Sequence, residues 1–323
     1  MVKHFKDFFT WLKKNYLKKG DKVIEIGSND GTFSSYFFKN QFDILGFEPS
    51  LNVAKIARKK KLKVVSKFFN FKNVSKLKNY KRNTDLICAA NVICHIPNLK
   101  DLIKSIDFLL SDNGVFIFEE PYLGSMFKKV SYDQIYDAHV FIFSLHSVRS
   151  IFNSYGFDLI NAFPQKTHGG SMRYVITRKN SRPINHNIKR LINNEKKLKL
   201  NNISSCLKFK KNFELSKKIF RSKILNFKKK GKKICGYAAS AKSTTALNYC
   251  KIDHNHIDFI ADSTKEKTGK FTPGTHIPVV SIDYFRKNYP DIVILCSWNH
   301  KKEIMEKEKK FVKNGGKWIS HVK

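Results

Sequence analysis

The stretch VIEIGSNDGTF, residues 23–33, decides the fold. Residues 22–26 make a short buried strand, Gly27 and Gly31 punctuate a turn, and GTFSSYFFKN from Gly31 onward opens a helix. A strand, a glycine turn and a helix begin a βαβ unit, because glycine lets the backbone turn sharply and approach a ligand closely. Glu25 lies near the end of this strand. A second acidic residue, Glu48, ends the next strand-like run, DILGFEP, 21 residues beyond Gly27. An acidic side chain about 20 positions past such a turn can accept hydrogen bonds from both hydroxyls of a ribose.

Outward from this unit, residues 22–178 keep alternating. After DILGFEP come the helical SLNVAKIARKKK, the strands LKVVS and TDLICAANV, the amphipathic helix LKDLIKSIDFLLS and the strand VFIFEEP. Such alternation predicts a doubly wound, parallel α/β sheet. Residues 181–230 change texture: few strand formers occur in a row, lysine is dense, and a rough helical period predicts one or two basic helices joining domains. From residue 231 the alternation resumes with KICGYAAS, AKSTTALNYC, HIDFIADS, HIPVVS, DIVILCS, a helix over NHKKEIMEKEKKFVKNGG, and KWISHV. The expected organisation is a Rossmann-like domain over 1–180, a helical connector over 181–230 and a smaller Rossmann-like α/β domain over 231–323.

The turn has the spacing Gly-x-x-x-Gly rather than Gly-x-Gly-x-x-Gly, which disfavours a dinucleotide. S-adenosylmethionine has a ribose to bind but no pyrophosphate to cradle, and one acidic-flanked glycine turn suits it. The residues predicted to bind it are Glu25, Gly27, Asn29, Asp30, Gly31, Glu48 and Pro49. Phe69, in SKFFN beside Phe68, sits where an adenine ring can be flanked, although core packing explains either ring equally well. Asn91 and His95, in AANVICHIPN, follow the fourth strand, and open α/β sheets bind ligands at the carboxyl ends of strands. A glycine turn that merely joins strand to helix, and a His that caps a turn before Pro97, are the plainer alternatives.

Composition narrows the remaining possibilities. The formal charge of +36 favours anionic partners. The lysines are spread over the whole chain, and no zinc-finger, RNA-recognition or homeodomain signature accompanies them, so nucleic acid is not expected as the main partner. Six scattered cysteines include no Cys-x-x-Cys pair, so buried reduced thiols are expected and no metal site. No apolar run reaches the roughly 18 residues of a membrane span, and the amphipathic start lacks a signal-peptide core, so a cytoplasmic protein is expected.

Taken in order, VIEIGSNDGTF, LGFEPSLNVAKIARKK, AANVICHIP, FEEPYLG, DQIYDAHVFIFS, HGGSMRY, GYAASAKS, TPGTHIP and WNHKKEIM resemble the nucleotide-sugar C-methyltransferases, which use S-adenosylmethionine. The likeness is to the enzyme that adds the 3-C-methyl group of D-tetronitrose and related deoxysugars, and it runs from about residue 20 onward. It implies a nucleotide-linked 4-keto-deoxysugar as substrate. Members usually open with a small zinc-binding domain, whereas this sequence begins at the methyltransferase domain. A separate zinc-binding protein is therefore the partner to expect if the reaction needs that domain.

In the same likeness the family's Tyr-(Asp/His)-Glu-His motif is here Tyr136-Asp137-Ala138-His139. Methylating a sugar carbon requires a carbanion, and a carbon beside a ketone provides one as an enolate. That demands a base with a pKa near neutrality, as His has, and a donor for the oxyanion, as Tyr is. The resemblance assigns the base to His139 and leaves Tyr136 to orient the sugar or stabilise the enolate; a buried Tyr/His pair bonded to backbone is the alternative. Ala138 lacks a carboxylate that would orient the His or hold a sugar hydroxyl. The THGGSMR segment offers His168, Gly169 and Arg173, and the resemblance places it near substrate; an Arg also pairs well with phosphate. Lys242, where the helix after GYAAS begins, is a candidate for the diphosphate. The loops KFTPGTHIP and SWNHKK are expected at the same sheet edge, with a structural role as the plainer reading. The competing functions are an O- or N-methyltransferase for another small acceptor, and a non-catalytic ligand-binding protein that works with a partner.

Overall fold

The computed structural model describes residues 1–322. The chain forms two compact units. The first comprises Met1–Leu123, Val140–Lys166 and Gly170–Leu198; the second comprises Gly124–His139, Thr167–Gly169 and the chain from Lys199 onward. The basic stretch of 181–230 is two helices, one in each unit. Residues 124–139, inside the first domain by sequence, group with the second unit.

In chain order the first unit contains α1 (Val2–Asn15), β1 (Lys22–Ile26), α2 (Ser34–Lys39), β2 (Asp43–Phe47), α3 (Leu51–Lys59), β3 (Lys63–Val65), α4 (Phe71–Val74), β4 (Thr84–Ala90), α5 (Leu99–Leu109) and β5 (Leu110–Pro121). After α6 (Leu123–Lys129), which lies almost wholly in the second unit, it resumes with α7 (Leu145–Asn153), β6 (Phe157–Gln165), β7 (Ser171–Arg178) and α8 (His186–Lys197). Its seven strands are ordered β3-β2-β1-β4-β5-β7-β6. Five run parallel, as expected, but β7 pairs antiparallel with β5 and β6 antiparallel with β7. The reversal follows from the short β6–β7 connection, since a parallel crossover needs a dozen or more residues.

Each face of this sheet buries its own core. Ile24, Ile26, Phe47, Ile87, Phe116, Phe118 and Tyr174 point to one side, and Val23, Leu86, Cys88, Ile117 and Val175 to the other. The second side is closed by α1, whose Phe8, Phe9 and Leu12 recur on one helical face and pack with Phe33 and Phe37. Each such fully buried apolar side chain contributes about 1.5–3 kcal/mol. Parallel registry matches Ile26 with both Phe47 and Ala89, so β1, β2 and β4 end at one level, and their following loops share one edge of the sheet.

The second unit contains α9 (Ile203–Lys229), β8 (Ile234–Tyr237), α10 (Ala241–Cys250), β9 (Phe259–Asp262), β10 (Val279–Ser281), α11 (Ile282–Lys287), β11 (Ile292–Leu295), α12 (Lys301–Lys307), α13 (Lys309–Lys313) and β12 (Lys317–Ile319). Its five strands are all parallel, in the order β10-β9-β8-β11-β12. The single helix expected over 299–316 is broken at Glu308. That carboxylate turns inward to accept from the Tyr237 hydroxyl at 3.0 Å and from Arg286 at 2.8 Å, and the break accommodates it. The six cysteines are unpaired, five of them buried and Cys206 exposed. Among the described residues no helix is long and apolar enough to cross a membrane.

Candidate active site

At the carboxyl edge of the first unit's sheet, the turn after β1 is tied to the end of β2. Glu48 accepts the Asn29 N–H on Oε2 at 3.0 Å and the Ser50 N–H on Oε1 at 2.8 Å. Each oxygen keeps a further lone pair, so the carboxylate can still accept from two ribose hydroxyls. Gly27 has φ 68° and lies so close to the loop after β4 that a methyl group there would sit 2.7 Å from Val92. Asn29 and Asn91 are also left-handed, at φ 51° and 57°. Such strain gathers where a loop is shaped for a ligand. Ser28 Oγ and Asn91 Oδ1 are buried without a hydrogen-bond partner. Buried polar atoms are normally satisfied, and two unsatisfied ones beside a tight glycine turn fit a polar cofactor such as S-adenosylmethionine.

The other predicted cofactor residues divide. Asp30 stays in the turn, where burial opposes its ionisation but the Thr32 hydroxyl and the Lys60 ammonium hold its carboxyl below the ordinary range. Gly31 is buried and packs against Ala57 and Leu62, so it seats α3 rather than a ligand. Glu25 alternates with Ile24 and Ile26 and therefore faces α2, whose Ser34 hydroxyl donates to it. Burial pushes its carboxyl up to about 8 in spite of that bond. It fastens the turn from beneath. Phe69 is buried edge-on against Phe47 at 5.1 Å and belongs to the core, while Phe68 is 70% exposed. Pro49 and His95 are exposed, the latter at the end of a single 3-10 turn.

Glu120, within the FEEPYLG segment, is not among the expected site residues. It accepts the Val92 and Ile93 N–H groups at 2.9 and 2.6 Å and so shapes the loop carrying Asn91. Burial raises its carboxyl to about 7, against opposing bonds from the Cys94 thiol and those backbone groups.

Arg173 corrects the sequence reading. The expected partner is substrate phosphate, but on β7 its side chain is 6% exposed and its Nε donates to Glu119 at 2.7 Å. Its guanidinium lies 3.8 Å from the Phe8 ring centre and 4.4 Å from that of Trp11, and His4 contacts the other Glu119 oxygen at 2.6 Å. The antiparallel run of β7 turns Arg173 onto the α1 face, where it neutralises a buried carboxylate.

The second unit gathers the remaining candidates. Ser131, Tyr132, Asp133 and Gln134 are all buried, and the chain then emerges as a short loop with Asp137 and Ala138 exposed. Within that loop the Tyr136 hydroxyl lies 2.7 Å from His139 Nε2, and His139 Nδ1 lies 2.8 Å from the Gln134 carbonyl oxygen. A carbonyl only accepts, so Nδ1 carries a proton; in the neutral ring Nε2 then presents its lone pair and the Tyr136 hydroxyl donates to it.

His168 and Gly169 form a 3-10 turn with φ 51° and 86°. Any side chain at 169 would collide with the indole of Trp298. Lys242 donates to the His168 carbonyl at 3.3 Å and lies 5.1 Å from the Trp298 ring; Lys129 donates to the Gly169 carbonyl and lies 5.7 Å from the same ring. Burial lowers the pKa of both ammonium groups, and for Lys242 the Asp133 carboxylate counteracts it. Lys242 is therefore a half-buried cation rather than a fully solvated helix-end lysine. The sequence marks Trp298 only as part of the loop SWNHKK. Its contacts come from distant parts of the chain, and no local pattern announces them.

Residues 3–162 match the model of a methyltransferase domain, and residues 166–322 match that of a C-methyltransferase C-terminal domain. The C-methyltransferase NovU of Streptomyces niveus is 27% identical over 304 residues, covering 94% of this chain and 72% of that protein. Among solved structures, magnesium protoporphyrin IX methyltransferase of Synechocystis PCC 6803 with bound S-adenosylmethionine is similar over 55% of this chain and 79% of its own, at 14% identity and TM-score 0.42. The PH0226 protein of Pyrococcus horikoshii OT3 covers 55% of this chain and 90% of its own, at 17% identity and TM-score 0.43. With both domain models matched in order along the chain, and with a relative aligned across nearly all of it, the protein belongs to the C-methyltransferases.

Proposed function

We propose that the protein methylates a carbon next to a ketone in a nucleotide-linked 4-keto-deoxysugar, with His139 as the base. The observation that supports this reading is the placement of the ring: Nδ1 lies 2.8 Å from the Gln134 carbonyl oxygen, which in the neutral imidazole leaves the lone pair on Nε2, 2.7 Å from the Tyr136 hydroxyl. S-adenosylmethionine, when bound, supplies a methyl group already activated as a sulfonium, so a carbon acceptor needs only to become nucleophilic.

The residues of this chain provide for that. Turning the Tyr136 O–H about its C–O bond frees the Nε2 lone pair and aims the phenol at a ketone oxygen. Nε2 then takes the proton from the carbon beside the ketone, the C–H electron pair moves into the enolate, and the Tyr136 hydroxyl stabilises the oxygen on which charge develops. Lys242 and Lys129, converging on the 167–169 turn, support an anionic portion of the substrate in the same unit. On the first unit, Glu48, Ser28, Asn91 and the backbone around Gly27 would hold the adenosyl and methionine parts of the cofactor.

The test is incubation with S-adenosylmethionine and a panel of nucleotide 4-keto-deoxysugars, with products weighed by mass spectrometry. The expected result is a gain of one methyl that fragmentation places on carbon. A methyl found on oxygen or nitrogen, or none on any keto sugar while S-adenosylmethionine binds, would refute the reading.

A further inference from the structure

We infer that Trp298 is a positioning residue: its indole N–H fixes the buried segment whose carbonyl sets the tautomer of His139. This rests on the reading of His139 as the base.

The connection is short and continuous. Trp298 Nε1 donates to Asp133 Oδ2 at 2.7 Å, although the two residues are 165 positions apart. Asp133 sits in the 3-10 turn Tyr132–Gln134 and is fully buried. The adjacent Gln134 supplies the carbonyl that accepts His139 Nδ1–H at 2.8 Å. The turn is held besides by the Gln134 side chain on Ser131 Oγ at 2.7 Å and by the Tyr132 hydroxyl with Cys250 Sγ at 3.3 Å. Neither bond reaches the Asp133 carboxylate. His321 Nε2 is 3.5 Å from Asp133 Oδ2, at the limit of a hydrogen bond, so among the described residues the indole is the close donor to this carboxylate.

The same indole is the wall against which the Gly169 backbone packs, and two half-buried lysines, Lys129 and Lys242, lie over it. One side chain thus brings the base-bearing loop, the His168–Gly169 turn and Lys242 into register. Charge-assisted hydrogen bonds to a buried carboxylate are short and directional, and they set the rotation of the turn that carries it. If the Gln134 carbonyl rotates away, Nδ1 loses its acceptor and the imidazole is free to place its proton on Nε2, where it cannot act as a base. In a serine protease triad a wrong tautomer lowers kcat about 10⁴-fold.

The experiment uses the full chain labelled with ¹⁵N-histidine. Long-range ¹H–¹⁵N spectra are recorded near pH 8, where an ordinary imidazole is neutral, and the His139 signals are identified by their loss in His139→Gln. In the wild type the protonated nitrogen is expected to be Nδ1. Trp298→Phe removes the N–H donor and leaves a smaller aromatic ring beside Gly169. The expected result is a shift toward the Nε2–H tautomer, a fall in kcat of about ten-fold or more, and a KM for S-adenosylmethionine within about two-fold. A folded Trp298→Phe protein with the wild-type His139 spectrum overturns the inference. Should that variant not fold, Asp133→Asn keeps the size and weakens the same bond by removing its charge; a partial tautomer shift is expected, and an unchanged spectrum again overturns it. The spectrum needs no turnover. Absence of C-methylation by the wild type therefore counts against the proposed reaction, while the positioning role is decided by the tautomer alone.

Discussion

Glu48 at the end of β2 accepts the backbone N–H of Asn29, 19 residues earlier, so one carboxylate both shapes the turn after β1 and faces its open side. Removing it takes away an acceptor pair for a ribose and the clamp on the turn together. Glu48→Ala is expected to weaken S-adenosylmethionine binding about 10- to 100-fold, since hydrogen bonds to a charged group contribute about 1.5–3 kcal/mol. Titration calorimetry on the folded variant measures this. An affinity within about two-fold of wild type would show that Glu48 does not contact the cofactor.

The Tyr136–His139 pair separates binding from chemistry. His139→Asn keeps a side chain of similar polarity but removes the base, and kcat is expected to fall about 10²- to 10⁴-fold. Tyr136→Phe deletes the donor to Nε2 and is expected to cost less, because the base survives. Dissociation constants for S-adenosylmethionine should change little in either variant. Stopped-assay product quantification by mass spectrometry tests the ranking; a His139→Asn protein with full turnover would remove His139 from the mechanism.

Legibility in the sequence depends on the range of the interaction. The glycine turn and Glu48 are legible because their geometry is set by local conformation and a fixed βαβ length. Tyr136 and His139 are legible because they lie three apart on one loop, although the tautomer is not, since it depends on a buried carbonyl. Arg173 misleads, because its short motif says nothing of the antiparallel pairing that turns it onto Glu119 and α1. Phe69 cannot be distinguished from a ring facing ligand until Phe47 is seen against it. Trp298 is legible only as part of the SWNHKK loop, because its hydrogen-bond partner lies 165 residues away.

The buried pair of Glu119 and Arg173, with His4 on the other carboxylate oxygen, predicts a stability effect in place of a substrate effect. Arg173→Met keeps an unbranched apolar chain but removes the guanidinium that lies over Phe8 and Trp11 and pairs with Glu119. Breaking a buried ion pair from one side costs about 3–5 kcal/mol. Urea denaturation should show a loss of that order, and the double variant Arg173→Met with Glu119→Leu should recover most of it. If Arg173→Met is as stable as wild type while KM for the acceptor rises, the side chain serves the substrate after all.

Glu25 makes stability depend on pH in a direction opposite to that of a salt-bridged carboxylate. Its folded value is raised by burial to about 8 from an ordinary 4.5. Between those values the folded protein holds a proton there and the unfolded chain does not. The unfolded state therefore binds fewer protons, and stability falls as pH rises. The contribution is fully present below about pH 4.5, fades across the window and is lost above about pH 8; Glu120, raised to about 7, adds to the same slope. The effect of Glu25 is on the order of a few kcal/mol, since each tenfold change in proton affinity is worth about 1.4 kcal/mol. Glu25→Gln keeps an acceptor for the Ser34 hydroxyl and cannot ionise, so it should lose part of the slope. Urea midpoints at pH 5, 6.5 and 8 for the two proteins give the comparison. The wild type is expected to weaken relative to Glu25→Gln as pH rises, and a constant difference between them would mean that Glu25 is ionised in the folded state throughout.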